Sequence, residues 1–298
     1  MMKQAIMQSL LINQAIPEFQ EWLSIRRMSG ETLRGYHVDI NQFSRWISSK
    51  SNSPVIIDEI SASHIEEFVS YLTNERDCKP ATINRKINAL STFFQCMKKK
   101  KFIMDNPMED FQRVKVPDSE RVYLSREEVE AIIQAIDHPV LHYFALTMAY
   151  TGLRVNECIH LTMKDVNFEE GYIQVINGKG GKNRTLPLSK HLKAHLEEYL
   201  KSHRPQTDSL FFFALKKTGT VSGQYVNRML KDACEKAGIT KHVTSHILRH
   251  SFASYLVKKD THVAVIQRLL GHASVKTTSV YLHVHQEDLQ AAVDQIDF

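Results

Sequence analysis

The chain has 298 residues, 43% of them hydrophobic and 24% charged, with a formal net charge of +5, a length that suits two domains of ordinary size more readily than one. That composition belongs to a packed globular protein; no apolar run reaches the ~18 residues of a bilayer span, and the opening MMKQAIMQSLLINQ lacks the apolar centre and cleavage site of a secretory leader. Cys78, Cys96, Cys158 and Cys234 lie far apart without a Cys-x-x-Cys pair, so reduced core thiols in a cytoplasmic protein are expected instead of disulfides or a zinc ribbon. The mild basic excess fits polyanion binding, and fits many soluble enzymes equally well.

The first third reads as four amphipathic helices, enough for a small bundle. Pro17 can take a first helical position ahead of Phe19, Trp22 and Leu23, and Gly30 then punctuates. Leu33, Tyr36, Ile40, Phe43 and Ile47 recur at alternating spacings of three and four, which sets all five on one buried stripe before the loop SSKSNSP. Ser61 can cap a third helix through Ile65, Phe68, Val69 and Leu72, and a fourth carries Ile83, Ile87, Leu90, Phe94 and Met97 after the Lys79-Pro80 break. On that helix Arg85 and Lys86 fall away from the apolar stripe, and Lys98, Lys99, Lys100 and Lys101 close its end, where cations suit the helix dipole. Charge alone makes these a solvated face or phosphate contacts with equal ease. Residues 104–122 hold two prolines and no sustained period, which suits a connector between domains.

Ser125 with Glu128 three residues on is a capping-box pattern, opening a helix through Val129, Ile132, Ile133 and Ile136. The next helix, from Pro139 to Tyr150, is apolar on most sides and therefore central, with Gly152 offering the left-handed position that ends it. GYIQVI and NRTLPL read as the arms of a β-hairpin around the turn signal Asn177-Gly178 and the glycine-rich tip GKGGK. Helices return at Ser189, from Ser222 to Ala237, at 245–258, at 262–270 ahead of Gly271, and near the C terminus.

No GxxxxGK[ST] loop, strand-borne GxGxxG, HExxH or GxSxG elbow is present, so nucleotide hydrolysis, zincin and serine-hydrolase readings lose their usual support. In SHILRHSFASYL, His246, Arg249, His250 and Ala253 share one helical face while Leu248, Phe252 and Leu256 line another, so one face packs and the other presents cations. Taken singly, that cationic face is equally surface polarity. A lone histidine such as His272 after Gly271 is usually a turn residue, and a lone tyrosine such as Tyr281 usually a packing aromatic. Arg154 in TGLRVNE starts a helix, where side chain and backbone N–H groups can point at an anion. What decides is the joint occurrence, in this order and with these separations, of TGLR, a lysine in a hairpin tip, HxLR, GH and a downstream tyrosine. Over residues 13–290 the chain resembles the tyrosine recombinase (phage integrase) family and, within it, the Xer-like bacterial enzymes. It departs from the pattern at Cys158 and Leu282, where leucine and threonine are common.

The resemblance implies a mainly α fold with a small antiparallel β-sheet. Its parts would be an N-terminal extension (1–12), a four-helix SAM-like core-binding domain (13–103), the connector (104–122), a mixed α/β catalytic domain (123–286) and a tail helix (287–298). It also implies site-specific DNA recombination through a 3′-phosphotyrosyl intermediate. Tyr281 would be the nucleophile, Arg154 and Arg249 would grip the phosphate, and His246 and His272 would assist. Lys179, with Lys182 its near neighbour, would protonate the departing 5′ oxygen. These residue types suit these roles: charge grows around phosphorus in the transition state, and arginine forks stay cationic at any working pH. A histidine of ordinary pKa ~6.5 can share the proton of a tyrosine whose own pKa is near ~10.

Because one phosphoester replaces another, no ATP, metal or other cofactor is expected. Implied partners are double-stranded DNA, contacted by Arg85, Lys86, Lys98 to Lys101 and Lys182, and further copies of the chain in a tetrameric synapse, with a paralogous recombinase as an alternative partner. The tail, with Leu289, Val293 and Ile296 at helical spacing, would dock on a neighbouring protomer or on its own domain. Two rivals stay open: a type IB topoisomerase-like nicking and resealing enzyme, and a non-catalytic DNA-binding protein on the same fold.

Overall fold

Four amphipathic helices build the first of the two units into which the chain divides, Met1–Ser119 and Glu120–Phe298. The computed structural model describes residues 10–26, 28–51, 53–117, 122–176 and 183–271. The Asn177-Gly178 turn, the GKGGK tip, His272, Tyr281 and the tail lie outside the described residues.

In the first unit α1 (Ile12–Ile25), α2 (Gly30–Ser51), α3 (Ala62–Asn74) and α4 (Pro80–Lys99) enclose Phe19, Phe43, Phe68, Phe93 and Phe94, all fully buried. Their rings meet edge to face, Phe19 with Phe93 at 5.3 Å, Phe43 with Phe68 at 5.0 Å and Phe93 with Phe94 at 5.1 Å. Such pairs add roughly 0.5–1.5 kcal/mol each beyond area burial. The stripe on α2 turns inward as its spacing requires, with Ile40, Phe43 and Ile47 buried and Leu33 and Tyr36 packed at the rim.

Three local expectations are corrected here. Pro17 lies inside α1, which starts five residues earlier at Ile12. Its ring removes one bond to the Asn13 carbonyl, but the start is held from outside by Ile12 N–H to the Val55 carbonyl (2.9 Å) and Ile57 N–H to the Leu10 carbonyl (3.0 Å). Gly30 stands at the break between α1 and α2, but α2 runs on through Ser51 into the expected SSKSNSP loop, with the Ser49 and Ser51 hydroxyls donating to the Trp46 and Ile47 carbonyls. The expected connector is partly built into this unit: Met108 is buried in its core, and Asn84 on α4 exchanges two hydrogen bonds with the Val114 backbone, at 2.8 and 2.9 Å.

The second unit contains α5 (Arg126–Gln134), α6 (Pro139–Thr151), α7 (Val155–Ile159), β1 (Val166–Asn167), β2 (Tyr172–Val175), β3 (Arg184–Pro187), α8 (Lys190–Glu198), α9 (Gly223–Lys236), α10 (Ser245–Lys258) and α11 (Val263–Leu270). The box at α5 forms as the sequence predicts: Ser125 Oγ accepts from the Glu128 N–H at 3.2 Å, and Glu128 Oε2 accepts from the Ser125 N–H at 2.7 Å. Apolar nearly all round, α6 is buried on most sides, packing against α5, α8 and α10. It stops at Gly152, where φ is +63° and a Cβ would fall 2.4 Å from the Phe252 ring. Conformation and space both demand glycine there.

The hairpin arms pair antiparallel as β2 and β3, with Ile173 opposite Leu186 and Val175 opposite Arg184. A third strand, β1, completes the order β1-β2-β3; two residues are too few to show a period in the sequence. One expectation about α10 is corrected. Arg249 and Ala253 are buried along with Leu248, because α11 and the Gly152 turn cover the face expected to present cations, whereas His246 one turn earlier is exposed.

Candidate active site

TGLRVNE folds as a helix stop followed at once by a restart. Gly152 ends α6, Arg154 caps α7, and Glu157 stands three residues into the new turn. The Arg154 N–H donates to Glu157 Oε2 at 2.8 Å and Arg154 Nη1 donates to Oε1 at 2.7 Å. The Arg154 N–H, one of the groups expected to meet an external anion, is therefore taken by the helix's own carboxylate.

Two more arginines converge on that carboxylate from distant segments. Arg184, at the first position of β3, grips it with both arms of its fork, Nη1 to Oε1 and Nη2 to Oε2, each 2.8 Å, while its Nε donates to the Leu269 carbonyl at 3.0 Å. Arg249 on α10 donates to the Gly152 and Leu270 carbonyls, both at 2.6 Å, with Nη1 3.9 Å from Glu157 Oε2. Arg154 Nη2 reaches the Gly271 carbonyl at 3.4 Å. The side chains of Arg154, Arg184, Arg249 and Glu157 are 22%, 11%, 5% and 7% exposed.

Among the described residues, three guanidiniums around one carboxylate leave two positive charges in surplus, in surroundings where charge is weakly screened. Burial by itself would raise the Glu157 pKa, but the Arg184 fork and the Arg154 N–H hold it down to about 2. The turn after α11 completes the arrangement: Gly271 has φ +64°, and a Cβ there would lie 2.9 Å from Arg184 Cδ.

The structure thus brings together Arg154 and Arg249, and sets the exposed His246 three residues before Arg249 on the same helix. His272 is the residue after Gly271, and Lys179 and Lys182 are in the segment between β2 and β3. These three and Tyr281 lie outside the described residues. Sequence reasoning missed the roles of Glu157 and Arg184. The three-residue spacing from Arg154 to Glu157 is the one local signal that marks the carboxylate, and nothing local marks Arg184.

Among the residues expected to meet phosphate, Lys86 is corrected. It is buried, with Nζ donating to Asp39 Oδ1 at 2.9 Å and Gln42 Oε1 at 2.6 Å, because the buried Asp39 carboxylate requires a cation inside the bundle. Arg85 shares Asp39 but keeps about half its side chain in solvent. Lys98 pairs with Glu109 at 2.8 Å and Lys100 with Glu18 at 2.6 Å, while Lys99 and Lys101 are exposed. Cys96, Cys158 and Cys234 are buried free thiols, and burial pushes the Cys96 pKa up to about 11. Among the described residues no group of three or more His, Cys, Asp or Glu is placed to hold a metal ion, and no helix is long and apolar enough to cross a membrane.

The sequence profile of the phage integrase family matches residues 122–288, and that of the phage integrase N-terminal SAM-like domain matches residues 16–103. A tyrosine recombinase of Thermosipho africanus is 31% identical over 297 residues, covering 96% of this chain and 100% of its own. Tyrosine recombinase XerD of Vibrio vulnificus is 32% identical over 279 residues, covering 90% of each. Among solved structures, a lambda integrase dimer bound to a COC′ core site shares the fold, with a TM-score of 0.77 at 21% identity over 91% of this chain and 95% of that one.

Proposed function

The chain belongs to the phage integrase family and is a Xer-like tyrosine recombinase, an enzyme of site-specific DNA breaking and rejoining; from that premise we propose which of its residues carry the reaction. Tyr281 attacks the scissile phosphate, its proton passing towards His246, and the 3′ phosphate becomes esterified to the phenolic oxygen as the 5′ oxygen leaves. Arg154 and Arg249 hold the non-bridging oxygens, where their forks meet charge as it grows, and His272 donates beside them. Lys179 protonates the leaving 5′ oxygen, with Lys182 the neighbouring alternative. A 5′-hydroxyl of a second strand then attacks the phosphotyrosyl bond and releases Tyr281. One ester is exchanged for another at each step, so the energy of the broken bond is conserved.

The observation that best supports this reading is the cluster at Glu157, where Arg154 and Arg249 meet with positive charge in surplus beside the turn that leads into His272. Duplex DNA is the partner, a reading supported by the lambda integrase dimer bound to its COC′ core site. The helical module at 13–103 meets the backbone through Arg85, Lys99 and Lys101, with Lys98 and Lys100 joining where phosphate displaces their carboxylate partners, and the catalytic module spans 123–286. Four protomers would form the synapse, the tail at 287–298 linking neighbours, in the cytoplasm where the DNA lies.

The test incubates the protein with a pool of nicked duplexes of randomised core, in which the cut strand cannot be religated, and recovers adducts that survive denaturation. The parent chain is expected to yield adducts whose sequences define the target, and Tyr281→Phe none. Adduct from Tyr281→Phe, or none from a parent that binds the pool tightly, would remove Tyr281 as nucleophile.

A further inference from the structure

Arg184 has no part in the reaction as proposed, yet from the hairpin it touches both α7 at Glu157 and the end of α11 at Leu269. It is the first residue of β3, where the chain leaves the lysine-bearing tip, and pairs across the hairpin with Val175. Its fork takes both oxygens of Glu157, the carboxylate that holds Arg154, and its Nε takes the Leu269 carbonyl. Leu269 precedes the two residues whose carbonyls receive Arg249 and Arg154, Leu270 and Gly271. Nε, Nη1 and Nη2 of Arg184 all donate within the protein, with 11% of the side chain exposed.

We propose that Arg184 is a positioning residue for strand cleavage: by occupying both oxygens of Glu157 and bracing the end of α11, it fixes the places of Arg154 and Arg249 around that carboxylate, from which their forks pass to phosphate when DNA binds. This rests on the active-site reading above. The reason is competition for one anion. A carboxylate 7% exposed must be neutralised inside the protein. With Arg184 in place, Arg249 stands 3.9 Å off and keeps its two short bonds to main-chain carbonyls. Without it, Glu157 has Arg154 and Arg249 left as partners, and drawing Arg249 inward breaks its bonds to the Gly152 and Leu270 carbonyls and moves both arginines from their places. Bidentate geometry is what lets one side chain serve both oxygens, so charge alone is not a substitute, and lysine supplies one point contact where arginine supplies a fork.

A second element lets the same contact be disturbed from outside. Gly271 packs against the Arg184 guanidinium so closely that a Cβ would stand 2.9 Å from Cδ, 3.0 Å from Nη1 and 3.1 Å from Cζ. Gly271→Ala therefore forces Arg184 or the turn that faces it to shift, without changing any charge.

The experiment measures, for the full chain on the nicked duplex pool, the rate of adduct formation at saturating protein and, separately, the affinity for the pool. It compares the parent with Arg184→Gln, Arg184→Lys, Gly271→Ala and the Arg184→Gln/Gly271→Ala double variant. The Nε–Hε resonances of Arg154 and Arg249 are followed by NMR in each. Arg184→Gln is expected to slow adduct formation roughly 10- to 100-fold, the scale of a catalytic group misplaced by about an ångström, with affinity within about twofold of the parent. Arg184→Lys falls between, the double variant is no slower than the worse single one, and the Arg154 resonance moves.

A parental rate in Arg184→Gln, a loss of rate matched by an equal loss of affinity, or unmoved arginine resonances would each overturn the proposal. A parent that makes no adduct strikes the Tyr281 assignment instead, and the resonances still decide whether Arg184 positions Arg154. Should Arg184→Gln fail to fold by circular dichroism, Arg184→Lys is judged by the same outcomes.

Discussion

Replacing Glu157 with glutamine keeps the side chain's outline and removes the one negative charge that three guanidiniums share. In the folded protein this carboxyl titrates at about 2 against an ordinary value of 4.5, and at ~1.36 kcal/mol per pKa unit the ionised form stabilises the fold by about 3 kcal/mol. A buried ion pair broken from one side costs about 3–5 kcal/mol, which meets that figure at its lower end. For a unit of this size each kcal/mol moves the melting temperature by about 2–4 °C, so Glu157→Gln should melt roughly 6–12 °C lower. The two units can be watched separately, because the chain has 2 tryptophans, Trp22 and Trp46, both in the first unit. Tryptophan fluorescence follows the first unit and far-UV circular dichroism follows both, so the variant should lower the dichroism transition and leave the fluorescence transition in place.

The pH dependence has a fixed sign. A carboxyl whose pKa is lowered on folding contributes fully above its unfolded value of 4.5 and loses that contribution as pH falls towards about 2. The gap between parent and variant should therefore be constant at neutral pH and narrow across that window. A shift under about 2 °C at pH 7, or a gap that stays open at the acid end, would refute the account of Glu157 as a carboxylate stabilised by the arginines.

Two further outcomes follow from contacts elsewhere. Gly152→Ala combines a left-handed residue at φ +63° with a Cβ placed 2.4 Å from the Phe252 ring, and should destabilise the second unit by about 2–4 kcal/mol in urea. In the first unit Lys99→Ala and Lys101→Ala should each flatten the dependence of log affinity for duplex DNA on log salt by about 0.9. Lys86→Met should leave that slope unchanged and lower the midpoint of tryptophan-monitored unfolding, since the Lys86 ammonium is spent on Asp39 and Gln42.

What could be read in advance is what short spacings encode. The α2 and α4 stripes, the Ser125–Glu128 box and the left-handed stops at Gly152 and Gly271 each depend on residues within a turn or two, and each is present in the structure. Pro17 misled because a tether from Val55 and Ile57 extends α1 beyond the point where a proline usually begins a helix. Lys86 misled because its partner Asp39 is 47 residues away on another helix, and a cation off the apolar stripe looks solvated until that partner is known. At the candidate site Arg154 and Arg249 were legible as motifs, but Arg184 and the carboxylate that gathers all three were not. Arg184 meets Glu157 across 27 residues and Arg249 meets Gly152 across 97, and no periodicity reports a meeting of that kind.

The charge of the cluster suggests why a carboxylate stands among residues assigned to an anion. Two guanidiniums a few ångströms apart repel in a weakly screened site, so the pair needs a negative group to assemble before substrate arrives. One carboxylate with two arginines would leave a surplus of one, matched to a phosphodiester at rest. The third arginine raises the surplus to two, matched to the larger charge on phosphorus during attack. This electrostatic account and the positioning account of Arg184 part company on one comparison. Glu157→Gln raises the surplus and Arg184→Gln lowers it, so if charge alone governed cleavage the two variants would change the rate in opposite directions. If the forks must be aimed, both variants lose the fixed geometry around Glu157 and both slow the reaction. The geometry favours the second outcome, since Arg184 spends its donors on Glu157 and Leu269 and reaches the phosphate only through what it holds.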